Sequence, residues 1–167
     1  MIEARGRQTW MAWTGLALLI GAVYLSGLRH PFHYDDIHSI VDNLHIRTLG
    51  NIPAFFVDPT LFAEDPQNAM FRPLILVSYA INYALSEYQT WSYHGVNILL
   101  HLLNSGLVFL IIRHIVGRAL PALMGALIFA LHLLNSEVVN YISSRSETMC
   151  ALFFASSFFA RRRGQRL

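Results

Sequence analysis

HYDDIH, residues 33 to 38, sets two adjacent aspartates between histidines. Neighbouring carboxylates repel each other, and imidazole is the side chain most easily tuned near neutral pH. Asp35 or Asp36 could serve as a general base toward a hydroxyl. The same pair also precedes Ile-His-Ser-Ile-Val, where carboxylates suit the positive end of a short helix. One aspartate capping while the other reacts satisfies both readings. His33, Asp35, Asp36 and His38 offer the N and O ligands that Zn or Mn takes, but their spacing closes no defined metal motif.

Other residues carry chemistry at a distance from this pair. Arg72-Pro73 opens an apolar stretch, and proline suits a first helical turn. Arg72 there could hold an anionic phosphate together with the helix N-terminus, or simply snorkel to lipid phosphate. His132 and Glu137 follow an apolar run, and Arg145 and Glu147 begin the next one. Ionisable groups at membrane depth cost about 2.5–3.5 kcal/mol on insertion scales, so they tend to be paired or functional. Arg145 with Glu137 or Glu147 is the expected pair. His94, Asn97, His101 and Asn104 recur every three or four residues. That spacing places them on one helix face, suited either to hydrogen bonds between helices or to a polar path.

The elements that must position these residues are membrane helices. Of 167 residues, 54% are hydrophobic and 13% charged, against about 25% charged in a soluble domain. All twelve cations are arginine, which excludes a lysine nucleophile or Schiff base and leaves planar forks suited to phosphate or carboxylate. A single cysteine, Cys150, excludes an internal disulfide and a cysteine-based zinc site. Trp10 to Leu28 is nineteen uncharged residues, the length of a span with an aromatic anchor. Its apolar core is too long for a signal peptide, and Gly27-Leu28-Arg29-His30 is a poor cleavage site. Further spans are expected over 93–112, 119–137 and 141–160.

Pro73 to Ser86 has only fourteen residues, the length of an interfacial helix. If it does not cross, eight arginines (5, 7, 113, 118, 161, 162, 163 and 166) face the cytoplasm and four face out. If it crosses, the split becomes three inside and nine outside. The positive-inside rule selects the first arrangement, with the N-terminus cytoplasmic. Residues 29–92 then form one long external loop, which holds seven of the ten acidic residues and includes a second short surface helix around 52–57.

The stretch FRPLILVSYAINYALSEYQTWSYHGVNILLHLLNSGLVFLIIRHI, the upstream YDD and the downstream ALMGALIFALHLLNSEVVNYISSRSETMCALFF resemble the transmembrane-and-tetratricopeptide-repeat O-mannosyltransferases. The likeness runs from about Tyr34 to Phe159 and is most specific at Arg72-Pro73-Leu74, Asn82 to Leu85, Tyr93-His94, Asn97 and His101. It implies an all-α, GT-C-like multi-pass bundle, and an aspartate of the Asp35-Asp36 pair as the base that deprotonates an acceptor hydroxyl. The implied donor is a sugar, mannose among the candidates, on a polyprenyl phosphate; the acceptor is a protein or glycan hydroxyl. Arg72 and Arg145 are the candidate phosphate ligands, with His132, Glu137, Glu147 and His94 as supporting polar groups. The chemistry requires no organic cofactor, leaves room for a divalent cation, and involves membrane lipids and no nucleic acid. One departure from the family pattern His-Pro-x-His-x-Glu stands at His132-Leu-Leu-Asn135-Ser136-Glu137, which keeps the first histidine and the glutamate. The family continues through more spans and a C-terminal repeat domain, so residues 1–167 read as the N-terminal portion, with activity expected of the completed domain. A bacterial inner membrane is the expected location, or the endoplasmic reticulum in a eukaryote. The rival reading is a multi-pass transporter or a non-catalytic assembly subunit.

Overall fold

The computed structural model describes the backbone of residues 2–164, and side chains from 6 to 159 apart from residue 66. Among the described residues every regular element is helical. The side chains of Arg5, Arg161, Arg162 and Arg163, and all of Arg166, which entered the orientation count, lie outside the described residues.

Helix α1 (Ile2–Tyr24) runs on as a 3-10 turn to Arg29. It buries Ala12, Leu16, Ile20 and Tyr24, one residue per turn of a single face. That stripe packs with Phe109 of α3 (Thr90–Val116) and with Ala122, Ala126 and Ala130 of α4 (Ala119–Leu131). Alanines four residues apart leave a smooth face, so α4 and α3 approach closely. Gly106 of α3 serves the same end, because a methyl group there would fall within the Trp13 indole. Helix α3 stops at Gly117, whose φ of 74° is the left-handed cap and whose N–H donates to the Arg113 carbonyl at 2.9 Å.

Among the described residues, two helical stretches are long and apolar enough to cross a membrane: Gly6–Arg29 and Thr90–Val116. A third arises if α4 and α5 (Leu133–Asn140) are one broken span. The sequence suggests an unbroken helix over 119–137, but the structure bends it by 57° at His132, whose backbone is extended. The polar side chains make the break affordable. His132 Nδ1 accepts from the Leu134 N–H at 3.3 Å, and Asn135 Nδ2 donates to the Phe129 carbonyl at 2.6 Å. The next helix, α6 (Arg145–Gly164), starts four residues later than the expected 141, after a 3-10 turn over Ile142–Ser144.

A second core lies between the ends of these helices and the segment 37–86. Helix α2 (Pro73–Ser86) begins with proline at its first position and ends at Glu87, whose φ is 49°. At about 1.5 Å per residue it is too short for a bilayer. It buries Ile75, Leu76, Tyr79 and Ala80 against Ile40, Ile46, Phe55, Phe62 and Ala63, with Tyr93 and Ile142 closing the cluster. The connecting chain is built from short turns, among them 3-10 turns at Ala54–Phe56 and Pro59–Phe62, rather than one helix over 52–57. Asn43 is buried at its centre, donating to the carbonyls of Leu61 and Phe62 at 3.0 and 2.9 Å and accepting from His45 N–H at 2.9 Å. A buried side-chain amide thus satisfies backbone groups that no ladder can.

Candidate functional site

The chain leaves the α1 bundle, turns at Tyr34 with a φ of 44°, and presents Asp35 and Asp36 in opposite ways. A positive φ at a non-glycine residue is uncommon and worth examining at a candidate site. Asp36 is 1% exposed. Its Oδ1 accepts from the backbone N–H of Ser143 at 2.9 Å and from the Ser143 hydroxyl, and its Oδ2 accepts from the His33 N–H at 3.1 Å. The carboxylate does not cap the helical turn it precedes. It fastens that turn to the segment entering α6. Asp35 is exposed; its backbone N–H donates to the Tyr141 hydroxyl at 3.1 Å, and its carbonyl accepts from Ser39 Oγ at 2.5 Å.

Asp35 lines a cleft of about 340 Å³ together with His38, Arg72, Ser146 and Glu147. Three elements build it: the turn after Tyr34, the start of α2 and the start of α6. Arg72 is exposed there, reaching Ser146 Oγ at 3.3 Å with its guanidinium 5.7 Å from the Phe62 ring centre. The cleft therefore joins an acceptor-type base, a cationic fork and a second carboxylate. Such a set can take a proton from a hydroxyl and hold a phosphate.

Arg145 lies elsewhere. It is fully buried, and four hydrogen bonds engage it: Nε to Asn97 Oδ1 at 2.9 Å, Nη1 to Ser78 Oγ at 2.9 Å and Asn82 Oδ1 at 2.7 Å, and Nη2 to the Tyr93 carbonyl at 2.9 Å. The Tyr79 ring lies beneath it at 4.8 Å. The expected ion pair with Glu137 or Glu147 is replaced by neutral acceptors, because the turn over 142–144 directs Arg145 inward while Glu147 stays exposed. These bonds tie α2, α3 and α6 together. Burial pushes the Tyr79 phenol up to about 12, so it remains a neutral donor, to the Ile142 carbonyl at 3.4 Å.

Each residue of the polar face of α3 reaches a backbone carbonyl, while His94 Nδ1 and Asn104 Oδ1 are buried without a hydrogen-bond partner. His94 Nε2 meets the His30 carbonyl at 3.1 Å, Asn97 Nδ2 the Tyr141 carbonyl at 3.1 Å, His101 Nε2 the Ala130 carbonyl at 2.9 Å, and Asn104 Nδ2 the Thr148 carbonyl at 2.9 Å. Each supplies a partner where another segment breaks or starts a helix. His132 sits exposed at the α4–α5 bend, and Glu137 lines a neighbouring cleft rather than that of Asp35. Among the described residues no three His, Cys, Asp or Glu side chains converge as a metal site. Sequence reasoning missed Ser143, Ser146 and Tyr141; only the serines flanking Arg145 in ISSRSE hint at them.

No family model matches the chain, and no solved structure matches it significantly. Curated relatives do. Protein O-mannosyl-transferase TMTC3 of Mus musculus is 27% identical over 150 residues, 88% of this chain and 16% of that protein. Protein O-mannosyl-transferase tmtc2 of Xenopus laevis is 33% identical over 149 residues, 86% of this chain and 17% of that protein. Protein O-mannosyl-transferase Tmtc1 of Drosophila melanogaster is 27% identical over 152 residues, 89% and 18% respectively. The chain spans about a sixth of the length of these relatives. Over most of its own length, the chain is a relative of the protein O-mannosyl-transferases.

Proposed function

We propose that this chain contributes the base and the phosphate ligand of a membrane glycosyltransferase. In this reading it forms part of a GT-C-like bundle in which α6 crosses as a fourth span and the Asp35 cleft opens on the outer face. The observation that carries it is the cleft itself: Asp35, Arg72 and Glu147 share it while Asp36 and Arg145 are held away by buried hydrogen bonds. The donor is a sugar, mannose by the relatives' name, on a polyprenyl phosphate, and the acceptor is a protein Ser or Thr hydroxyl. Asp35 accepts the hydroxyl proton as the oxygen bonds to C1 of the sugar. The C1–O bond to phosphate breaks, and the polyprenyl phosphate departs with the electron pair, its charge met by Arg72. No step is routed through a metal ion.

The transporter reading requires a polar path along α3. His94, Asn97, His101 and Asn104 are buried and bonded to carbonyls, which supports a structural role for that face instead. The test uses membranes bearing the native polypeptide that contains this chain, a radiolabelled polyprenyl-phosphate mannose and a Ser/Thr peptide. D35N is expected to lower transfer by at least about 100-fold, the scale of a lost general base. It should leave labelling by a photoreactive polyprenyl phosphate intact. Full transfer by D35N would overturn the assignment.

A further inference from the structure

Two clefts flank the turn that carries Asp35. Beside the cleft of Arg72 lies another, of about 510 Å³, lined by His30, His33, Tyr34, Glu137, Asn140 and Tyr141. Tyr141 lines both. Its hydroxyl accepts the Asp35 N–H, so the wall between the clefts is one tyrosine thick at the residue proposed as base. The turn at Tyr34 sends consecutive side chains to different sides, Tyr34 to one cleft and Asp35 to the other.

The clefts differ in what they can hold. The first sets the Arg72 guanidinium beside Asp35 and Glu147; the second has the Glu137 carboxylate, the imidazoles of His30 and His33, and no arginine in its lining. A phosphate facing Glu137 would meet like charge with no fixed cation to offset it. A neutral chain bearing hydroxyls and amides would find a strong acceptor in Glu137, a donor and acceptor in Asn140, and the 87% exposed ring of Tyr34 to lie against.

We infer that the Glu137 cleft receives the acceptor, a Ser/Thr-bearing polypeptide segment, with Glu137 and Asn140 as its specificity-determining contacts and Tyr34 as its apolar platform. This rests on the assignment of the Arg72 cleft to the donor. Donor and acceptor then approach Asp35 from opposite sides of Tyr141, and phosphate never has to pass Glu137.

The experiment separates binding from turnover. A Ser/Thr peptide carrying a benzophenone is photolysed with membranes of the D35N polypeptide, and adducts are mapped by mass spectrometry. Adducts within 30–34 and 137–141 are expected. E137Q and N140A should each weaken labelling by about tenfold, the scale of one lost hydrogen bond to a charged or amide group. A photoreactive polyprenyl phosphate should label both variants as before and fail on R72A. In the Asp35-containing polypeptide, E137Q should raise the peptide KM by a similar factor with kcat little changed, while its thermal unfolding matches the parent. Peptide adducts confined to other segments, donor adducts at 137–141, or displacement of the peptide by a free oligosaccharide but not by unlabelled peptide would each overturn the inference. Peptide labelling at the expected segments without any sugar transfer would sink the glycosyltransferase reading and leave the peptide site standing. Transfer without such labelling would do the reverse.

Discussion

Asp35 and Asp36 are adjacent in sequence, as Arg72 and Arg145 are alike in chemistry, yet the fold sorts one of each into a sealed region and one into an open cleft. In the sealed region every charge is met by several hydrogen bonds. Arg145 on α6 makes four, to α2 and α3, and Asp36 accepts three, one from His33 and two from Ser143, 107 residues further on. In the open cleft Asp35 and Arg72 are exposed, and the bonds that fix the backbone of Asp35 leave its carboxylate to the cleft. Charges that organise the fold are consumed by it. The charges left exposed are held more lightly, Asp35 through its backbone and Arg72 by Ser146 and the Phe62 ring.

The comparison breaks most visibly at the arginines. R145M is expected to cost at least about 3 kcal/mol, since it leaves Asn82, Asn97 and the Tyr93 carbonyl buried without their donor. R72A should stay within about 0.5 kcal/mol of the parent, as exposed substitutions usually do. Thermal unfolding in detergent measures both, and equal effects would dissolve the distinction. The aspartates repeat the contrast on a smaller scale. D36A removes three bonds to a buried carboxylate and should cost about 2–4 kcal/mol, with D35N near zero in stability but losing transfer.

Two further measurements sharpen the picture of what the sealed regions tolerate. G106A pushes a methyl into the Trp13 ring between α1 and α3 and should cost about 1–3 kcal/mol, recoverable in part by W13L. The smallest effect is at alkaline pH. Tyr79 is held up to about 12 by burial, above the value near 10 of an unfolded phenol. Its protonated form is favoured by folding, so this contribution is intact below about pH 10 and is lost as pH rises toward 12. A Y79F chain should lose stability less steeply over that interval in denaturation followed by tryptophan fluorescence.

Several features were legible because their causes are local. Pro73 at a first helical position and the mostly apolar run of fourteen residues that it opens gave α2 both its ends. The i, i+3, i+4 spacing of His94, Asn97, His101 and Asn104 put them on one face whose bonds now reach four carbonyls. The bend at His132 was not legible, because an apolar run of that composition reads as continuous helix. It depends on Asn135 reaching back to the Phe129 carbonyl, a bond visible only once the chain has turned. The start of α6 at Arg145 was hidden for a similar reason: Tyr141 is drawn into extended backbone by its hydroxyl at Asp35 and its carbonyl at Asn97.

By itself the sequence determined an all-helical membrane chain, the apolar runs that build its main helices, and the short list of residues able to carry charge chemistry. Apolar length, periodicity and residue type act within a few turns of chain, so they can be read locally. Only the tertiary structure decided which aspartate and which arginine of that list stay open to a substrate. That choice is made by Ser143, Ser78, Asn82 and Asn97, partners 48 to 107 residues away, whose hydrogen bonds exist only when the segments have been brought together.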